Sequence, residues 1–217
     1  MANSKTGDLR RDILDQARSL LLSGGYPELS MRKIAGAIGC TPTSIYLYFA
    51  SKDALLHALV DEGMELLFAR LQEAAEGPGT ARQRLGALCR AYTEFALANP
   101  EYYEVMFALR IPRIDRYPAE NYRRARRNLE VFASVLAEAD RDGEVRIPEP
   151  FLAASVIWSA LHGALGLCLA DRVDRGLDRA GFLNLATRHA HLSLDAFDID
   201  DADVDAKPDN TPEESHQ

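Results

Sequence analysis

The sequence predicts an all-α fold of about nine helices, a small N-terminal three-helix unit followed by a larger helical domain. Three observations carry this. Apolar residues recur at helical spacing in segment after segment, as in Leu9, Ile13, Leu14, Ala17, Leu20 and Leu21. Capping residues precede prolines at helix starts, as in Thr41-Pro42 and Asn99-Pro100. Glycine and proline clusters such as Gly77-Pro78-Gly79 stop the pattern.

The first helix runs from about Asp8 to Gly24 and Gly25, with Tyr26 and Pro27 forming the turn. Residues 1–7 read as a flexible arm. Two short helices then meet at a glycine within residues 30–52. Ser30 caps the first, Ile34 and Ile38 share its buried face, and Gly39 ends it. Thr41 caps the second, and Pro42 takes the first helical position, where a missing N–H is harmless. Two helices so joined have the layout of a helix-turn-helix. The second, Pro42 to Tyr48, would then read the DNA major groove. Ile45 and Phe49 anchor it, while Thr43, Tyr46 and Leu47 point away from the core. Ser51 caps the next helix and puts Lys52 at its first residue. A cation is disfavoured there by the helix dipole, unless a phosphate is to dock between ammonium and helix N-terminus. An ordinary small helical unit is the alternative reading of these features.

The 217 residues suffice for one or two domains with a real core, and 47% hydrophobic with 27% charged residues is ordinary for a globular protein. The net charge of −8 sits oddly with a nucleic-acid partner, but residues 1–52 carry +3 and residues 198–217 carry −7. Cys40, Cys89 and Cys168 are scattered, which favours a reduced, cytoplasmic setting without disulfides. The polar residues 1–12 carry no secretory signal pattern.

The fourth helix spans about 51–76, with Leu55, Leu56, Leu59, Val60, Met64, Leu67, Phe68 and Leu71 inward. Thr80 caps a fifth helix reaching Ala98, and Asn99-Pro100 opens a sixth. Pro112 and Pro118 bracket a break before the seventh, Ala119 to Arg141, whose Arg123, Arg124, Arg126 and Arg127 read as a solvated face rather than an anion patch. Phe151 to Ala170 contains no Asp, Glu, Lys or Arg and is long enough to span a bilayer. Its serines, histidine and glycines, and its place among amphipathic helices, favour burial against a partner instead. The ninth helix spans about 178–197. Beyond it lies an acidic tail, 198–217, expected to be disordered.

The stretch from Leu29 to Leu56, with Ile34, Ala35, Gly39, Tyr46, Phe49, Lys52 and Leu55 at fixed spacing, resembles the DNA-binding domain of the TetR family of transcriptional regulators. Trp158, His162 and Gly163, with the segment Asn99 to Phe107, resemble the tryptophan-histidine-glycine subclass of its C-terminal domains. The resemblance implies residues 1–50 as arm and DNA-binding domain, and 51–197 as effector-binding and dimerisation domain, joined by helix 51–76. It implies a homodimer through the helices near 150–172 and 178–197, a near-palindromic operator and an unidentified small-molecule effector. The expected function is repression relieved by the effector, without a membrane, a cofactor or catalysis.

Candidate DNA-binding residues are Ser30, Arg32, Thr41, Pro42, Thr43, Ser44, Tyr46, Leu47, Tyr48 and Lys52. Lys52 and Tyr46 are expected on phosphates, and Leu47, which cannot donate a hydrogen bond, against a thymine methyl. Tyr92, Phe95, Tyr103, Met106, Phe107, Trp158 and His162 are candidates for an effector pocket, aromatic walls with few polar groups being typical of ligand cavities. A packed core or interface histidine is the other reading of His162. No nucleophile motif, phosphate loop or metal-binding His pattern is present in the sequence. A ligand-binding or catalytic helical protein with a vestigial first domain, and a regulator without an effector, are the rival functions.

Overall fold

A computed structural model describes residues 4–108 and 119–192. Within them lie nine α-helices and no strand: α1 (Ser4–Glu28), α2 (Met31–Ile38), α3 (Pro42–Tyr46), α4 (Lys52–Ala75), α5 (Ala81–Ala98), α6 (Pro100–Tyr103), α7 (Ala119–Arg141), α8 (Pro150–Leu169) and α9 (Arg179–Leu192). A π-helical turn, Glu104–Ala108, continues α6.

The caps that open α2, α3, α4 and α5 act as expected. Ser30 Oγ accepts from Lys33 N at 3.1 Å, Thr41 Oγ1 from Ser44 N at 3.2 Å, Ser51 Oγ from Ala54 N at 3.0 Å and Thr80 Oγ1 from Gln83 N at 3.3 Å. Gly39 closes α2 in the left-handed region (φ 70), the conformation that favours glycine there. Four details differ. α1 begins at Ser4, inside the expected arm; Gly25 (φ 68, ψ −166) breaks it where the two glycines predict an end, and a last helical turn then runs to Glu28. α3 ends at Tyr46 rather than Tyr48, because Tyr48 N and Phe49 N both turn back to Ile45 O. Asn99 makes no side-chain cap for α6; its amide donates instead to Phe95 O at 2.9 Å, closing α5. α6 itself lasts one turn before widening. The last part of the ninth helix and the acidic tail lie outside the described residues.

Two hydrophobic clusters organise the chain. The first joins α1, α2, α3 and the start of α4, through Ile13, Ala17, Ile34, Ile45, Phe49, Leu55 and Leu59 among others. The second joins the rest, from Leu67 and Leu71 on α4 to Leu183 and Ala190 on α9. Burying each leucine, isoleucine or phenylalanine side chain among them contributes about 1.5–3 kcal/mol. α4 is roughly 36 Å long at the usual rise per residue, and it serves both clusters. Val60 and Phe68 are only half-buried, so its inner face is narrower than expected.

Behind α4, α7 packs on α8, and α5 packs against α4, α7 and α9. Glu144, just after α7, accepts from the N–H groups of Ala81 and Arg82 at 3.1 Å each, placing a carboxylate on the N-terminus of α5. Among the described residues α8 alone is long and apolar enough to cross a membrane, and one third of its most apolar window is buried within the chain. Leu152, Val156 and Leu167 of α8 and Leu185 and Leu192 of α9 are exposed.

Candidate DNA interface and effector cavity

At the N-terminal end, Ile45 is fully buried and Phe49 nearly so, and together they hold α3 against α2 and α4. This pins the opposite face outward: Leu47 is 81% exposed and Tyr46 52%. Pro42 and Thr43 are exposed beside them, as are Thr41 and, on α2, Arg32. Ser30 and Ser44 are half-buried and occupied locally, Ser30 as a cap and Ser44 in a 2.9 Å hydroxyl contact with Thr41. Tyr48 is half-buried against the first cluster, so it faces the core more than the groove side.

Lys52 has a second occupation that its sequence position concealed. Its Nζ donates to Tyr26 O at 3.2 Å and lies 3.5 Å from the centre of the Tyr26 ring. Burial lowers its pKa, against the pull of Asp53 in the opposite direction. The ammonium thus ties α4 to the end of α1, and an ammonium has three N–H donors, so two remain for a phosphate.

In the second domain, a cavity of about 400 Å³ opens between α4, α7 and α8. Leu67, Leu71, Phe132, Phe151 and Trp158 make it strongly apolar, with Tyr92 and Phe107 on its wall. Of the seven expected pocket residues, Tyr92, Phe107 and Trp158 border this cavity. Tyr103 and His162 stand behind that wall. His162 Nδ1 lies 2.9 Å from Tyr103 Oη and 3.2 Å from Tyr92 Oη, and Tyr103 also donates to His162 O at 3.1 Å. The rings of Trp158 and His162 stack at 4.8 Å, and Phe107 meets the His162 ring edge-on at 5.1 Å. Burial pushes the Tyr103 hydroxyl up to about 12, raises Tyr92 further and lowers His162. The cluster is therefore neutral at ordinary pH, and a neutral imidazole can accept from a tyrosine O–H.

Two expected pocket residues lie elsewhere. Phe95 borders a separate cleft of about 510 Å³ with Arg70, Glu73, Glu94 and Asn99. Met106 packs over Gly63 of α4. Two arginines near the start of α7 are engaged, while Arg123 is exposed. Arg126 pairs with Glu130 at 3.0 Å and covers the Phe151 ring, and Arg127 pairs with Glu65 at 2.9 Å and covers Phe68.

Sequence reasoning missed Leu67, Leu71, Phe132 and Phe151 as cavity walls, and with them the buried amide of Asn128. Asn128 is 7% exposed, its Nδ2 reaches Met64 O and Sδ only at 3.4 Å, and its Oδ1 has no partner. The available signal was a lone amide one helical turn before Phe132 on an apolar face. Asn128→Leu is expected to raise the unfolding midpoint, by about 1 kcal/mol, since a buried unpaired acceptor costs about 1–3 kcal/mol. Chemical denaturation measures it, and a fall in midpoint would show that the amide is satisfied.

A recognition helix held outward by an N-terminal core, joined by one long helix to a domain with an apolar cavity, defines a helix-turn-helix DNA-binding regulator. Family models agree. Residues 13–59 match the bacterial regulatory proteins of the tetR family, and residues 85–190 match the tetracyclin repressor-like C-terminal domain. The chain belongs to the TetR family of transcriptional regulators. The transcriptional regulator UidR of Escherichia coli is 34% identical over 68 residues, 31% of this chain and 35% of UidR. The fatty acid metabolism regulator protein of Bacillus subtilis is 33% identical over 73 residues, 34% of this chain and 38% of that protein. The chain thus spans little more than a third of these curated relatives. A protein of unknown function from Rhodococcus sp. RHA1 superposes over 86% of this chain and 94% of its own, with a TM-score of 0.72 and 27% identity. The B. subtilis FadR structure, solved in complex with stearoyl-CoA, shares the fold at a TM-score of 0.67 and 21% identity, over 83% of this chain and 96% of its own. These families and relatives are regulators, not enzymes.

Proposed function

We propose that the protein is a cytoplasmic, homodimeric repressor that leaves a near-palindromic operator when an apolar small molecule enters the cavity between α4, α7 and α8. One observation carries this reading: the π-helical turn touches both functional ends at once. Val105 packs against the DNA-binding cluster, Met106 sits over Gly63 of α4, and Phe107 borders the cavity. A ligand that displaces Phe107 therefore acts on the same short segment that braces the DNA-binding domain. π-helical turns are hydrogen-bonded less favourably than α-helix and recur at functional sites. An effector releases DNA only if it binds the released conformation better, and displacing a turn braced at both ends would provide such a difference.

The exposed apolar faces of α8 and α9 support a two-fold partner. A Cβ added at Gly163 would meet nothing within 4 Å, so the glycine makes no close contact inside its own subunit and leaves room for a helix of the second copy. Two such subunits would pair α8 and α9 with their symmetry mates, and a two-fold dimer matches a two-fold operator. The cavity walls favour an effector that is mainly hydrocarbon or aromatic. The long acyl chain of the FadR ligand is one example of that chemistry.

At the DNA end, Lys52 and Tyr46 take phosphates, and Thr43, Leu47 and Pro42 face the bases. The experiment is a genome-wide DNA pull-down to obtain the operator, followed by salt titrations of variants. Lys52→Ala is expected to weaken all sequences alike and to flatten the salt dependence by about two phosphates per dimer, together with a modest loss of stability from the Tyr26 contact. Leu47→Ala is expected to change sequence preference instead. An unchanged salt slope in Lys52→Ala would remove the phosphate assignment.

A further inference from the structure

The end of the molecule away from the DNA interface carries a basic cleft that the regulatory reading does not use. It is a shallow hollow of about 570 Å³ between the first half of α5 and the end of α9, bordered by Pro78, Arg82, Gly86, Arg90 and His191 among others. None of its lining residues is acidic. Arg188 stands one turn before His191, and both it and Arg90 are exposed. His191 has its pKa lowered first by burial, and then by the nearby charges of Arg90, Arg82 and Arg188, against a hydrogen bond at Thr187. Glu144, which feels the charge of Arg82, accepts two backbone N–H groups at the start of α5. Arg90 and Arg188 both act on His191 from their two helices, and like charges brought together repel at a cost that falls when an anion sits between them.

The chain carries its own polyanion at this place. Residues 198–217 hold eight acids against one lysine. Five residues separate them from Leu192, the last described residue of α9 and the neighbour of His191 in the cleft. The six residues from Leu192 to Asp198 can reach at most about 20 Å. So short a tether holds the acids at a millimolar effective concentration around the cleft. We propose that the acidic segment 198–217 docks on the Arg82–Arg90–Arg188–His191 cleft of its own chain. The consequence concerns DNA. The cleft lies by the loop after α4, roughly 36 Å of helix from Lys52. A segment of charge −7 held there is kept off the basic helix-turn-helix, where it would otherwise compete with phosphates.

The test uses the full chain, with backbone amide resonances assigned for the segment and the cleft. In about 50 mM salt, the heteronuclear NOE of amides in 198–217 is expected to fall at least twofold on going from the native chain to Arg90→Glu/Arg188→Glu, and the native value to fall likewise in 500 mM salt. A second variant leaves the folded part untouched: Asp198, Asp200, Asp201, Asp203 and Asp205 all changed to Asn. It is expected to give the same low NOE and to shift the resonances of Gly86 and His191. Arg90→Glu/Arg188→Glu is expected to bind nonspecific duplex more weakly than the native chain and the Asn variant no more weakly, since only the first frees an intact polyanion. Identical segment NOE values in the native and both variant chains would overturn the proposal. So would cleft resonances that ignore the Asn changes but move on adding inorganic phosphate or duplex DNA, which would assign the cleft to a free anion or to nucleic acid.

Discussion

Val156→Arg is expected to convert the protein to a monomer and to remove operator binding at concentrations where the native chain is saturated. Val156 is 48% exposed on α8, in line with Leu152, Gly163 and Leu167, on a face with no charged side chain from Phe151 to Ala170. An arginine there would be buried at the proposed two-fold contact with no counter-ion. An uncompensated buried charge costs about 3–5 kcal/mol, or a factor of about 10² to 4 × 10³ in dimer dissociation. DNA binding falls with it, because each half-site is then bound alone. Sedimentation equilibrium and operator titration read the two effects. The substitution should leave the monomer fold intact, since the side chain points out of the subunit. A fully dimeric Val156→Arg chain would place the dimer contact elsewhere.

The second large effect is expected at Gly63. In an exposed helix interior, Gly→Ala stabilises by about 1 kcal/mol. Here the sign should reverse. An alanine Cβ would lie 2.6 Å from Met106 Sδ and 2.9 Å from Tyr102 Cδ1, and Tyr102 is 1% exposed. Overpacking of this kind costs about 1–3 kcal/mol. Met106 can swing its thioether aside, but the buried Tyr102 ring has no such freedom, so the methyl is expected to push α6 and the π-helical turn away from α4 and to draw Val105 from the DNA-binding cluster. Gly63→Ala is therefore expected to lower the unfolding midpoint and to weaken operator binding about tenfold in the absence of any effector. Urea denaturation and operator titration measure both. A stabilised Gly63→Ala chain with native operator affinity would show that the turn is not braced against α4, and the coupling scheme would fall with it.

Where reasoning from the sequence succeeded, the chemistry was local. A hydroxyl three residues before the N–H it caps, a glycine at positive φ, and a proline at a helix start act over one turn of chain. Ser30, Gly39, Thr41, Ser51 and Thr80 could therefore be read in place. The same holds for the outward Tyr46 and Leu47, because Ile45 and Phe49 settle which side of a short helix is buried. Asn99 was misread because one amide can serve either the helix before it or the helix after it, and local sequence does not say which.

The sequence by itself determined the family, the all-helical architecture, the direction of the recognition surface and the aromatic content of the second domain. Only the tertiary structure decided which aromatics enclose empty space and which fill it. Tyr103 and His162 spend their polar atoms on each other, 59 residues apart, while Tyr92, Phe107 and Trp158 border the cavity. It also decided that Lys52 holds Tyr26, 26 residues earlier, and that the arginines of α7 pair with Glu130 and Glu65. The physical reason is common to all three. Periodicity reports that a side chain is turned inward, but what it meets there depends on segments distant in the chain, and packing is settled only when those segments arrive.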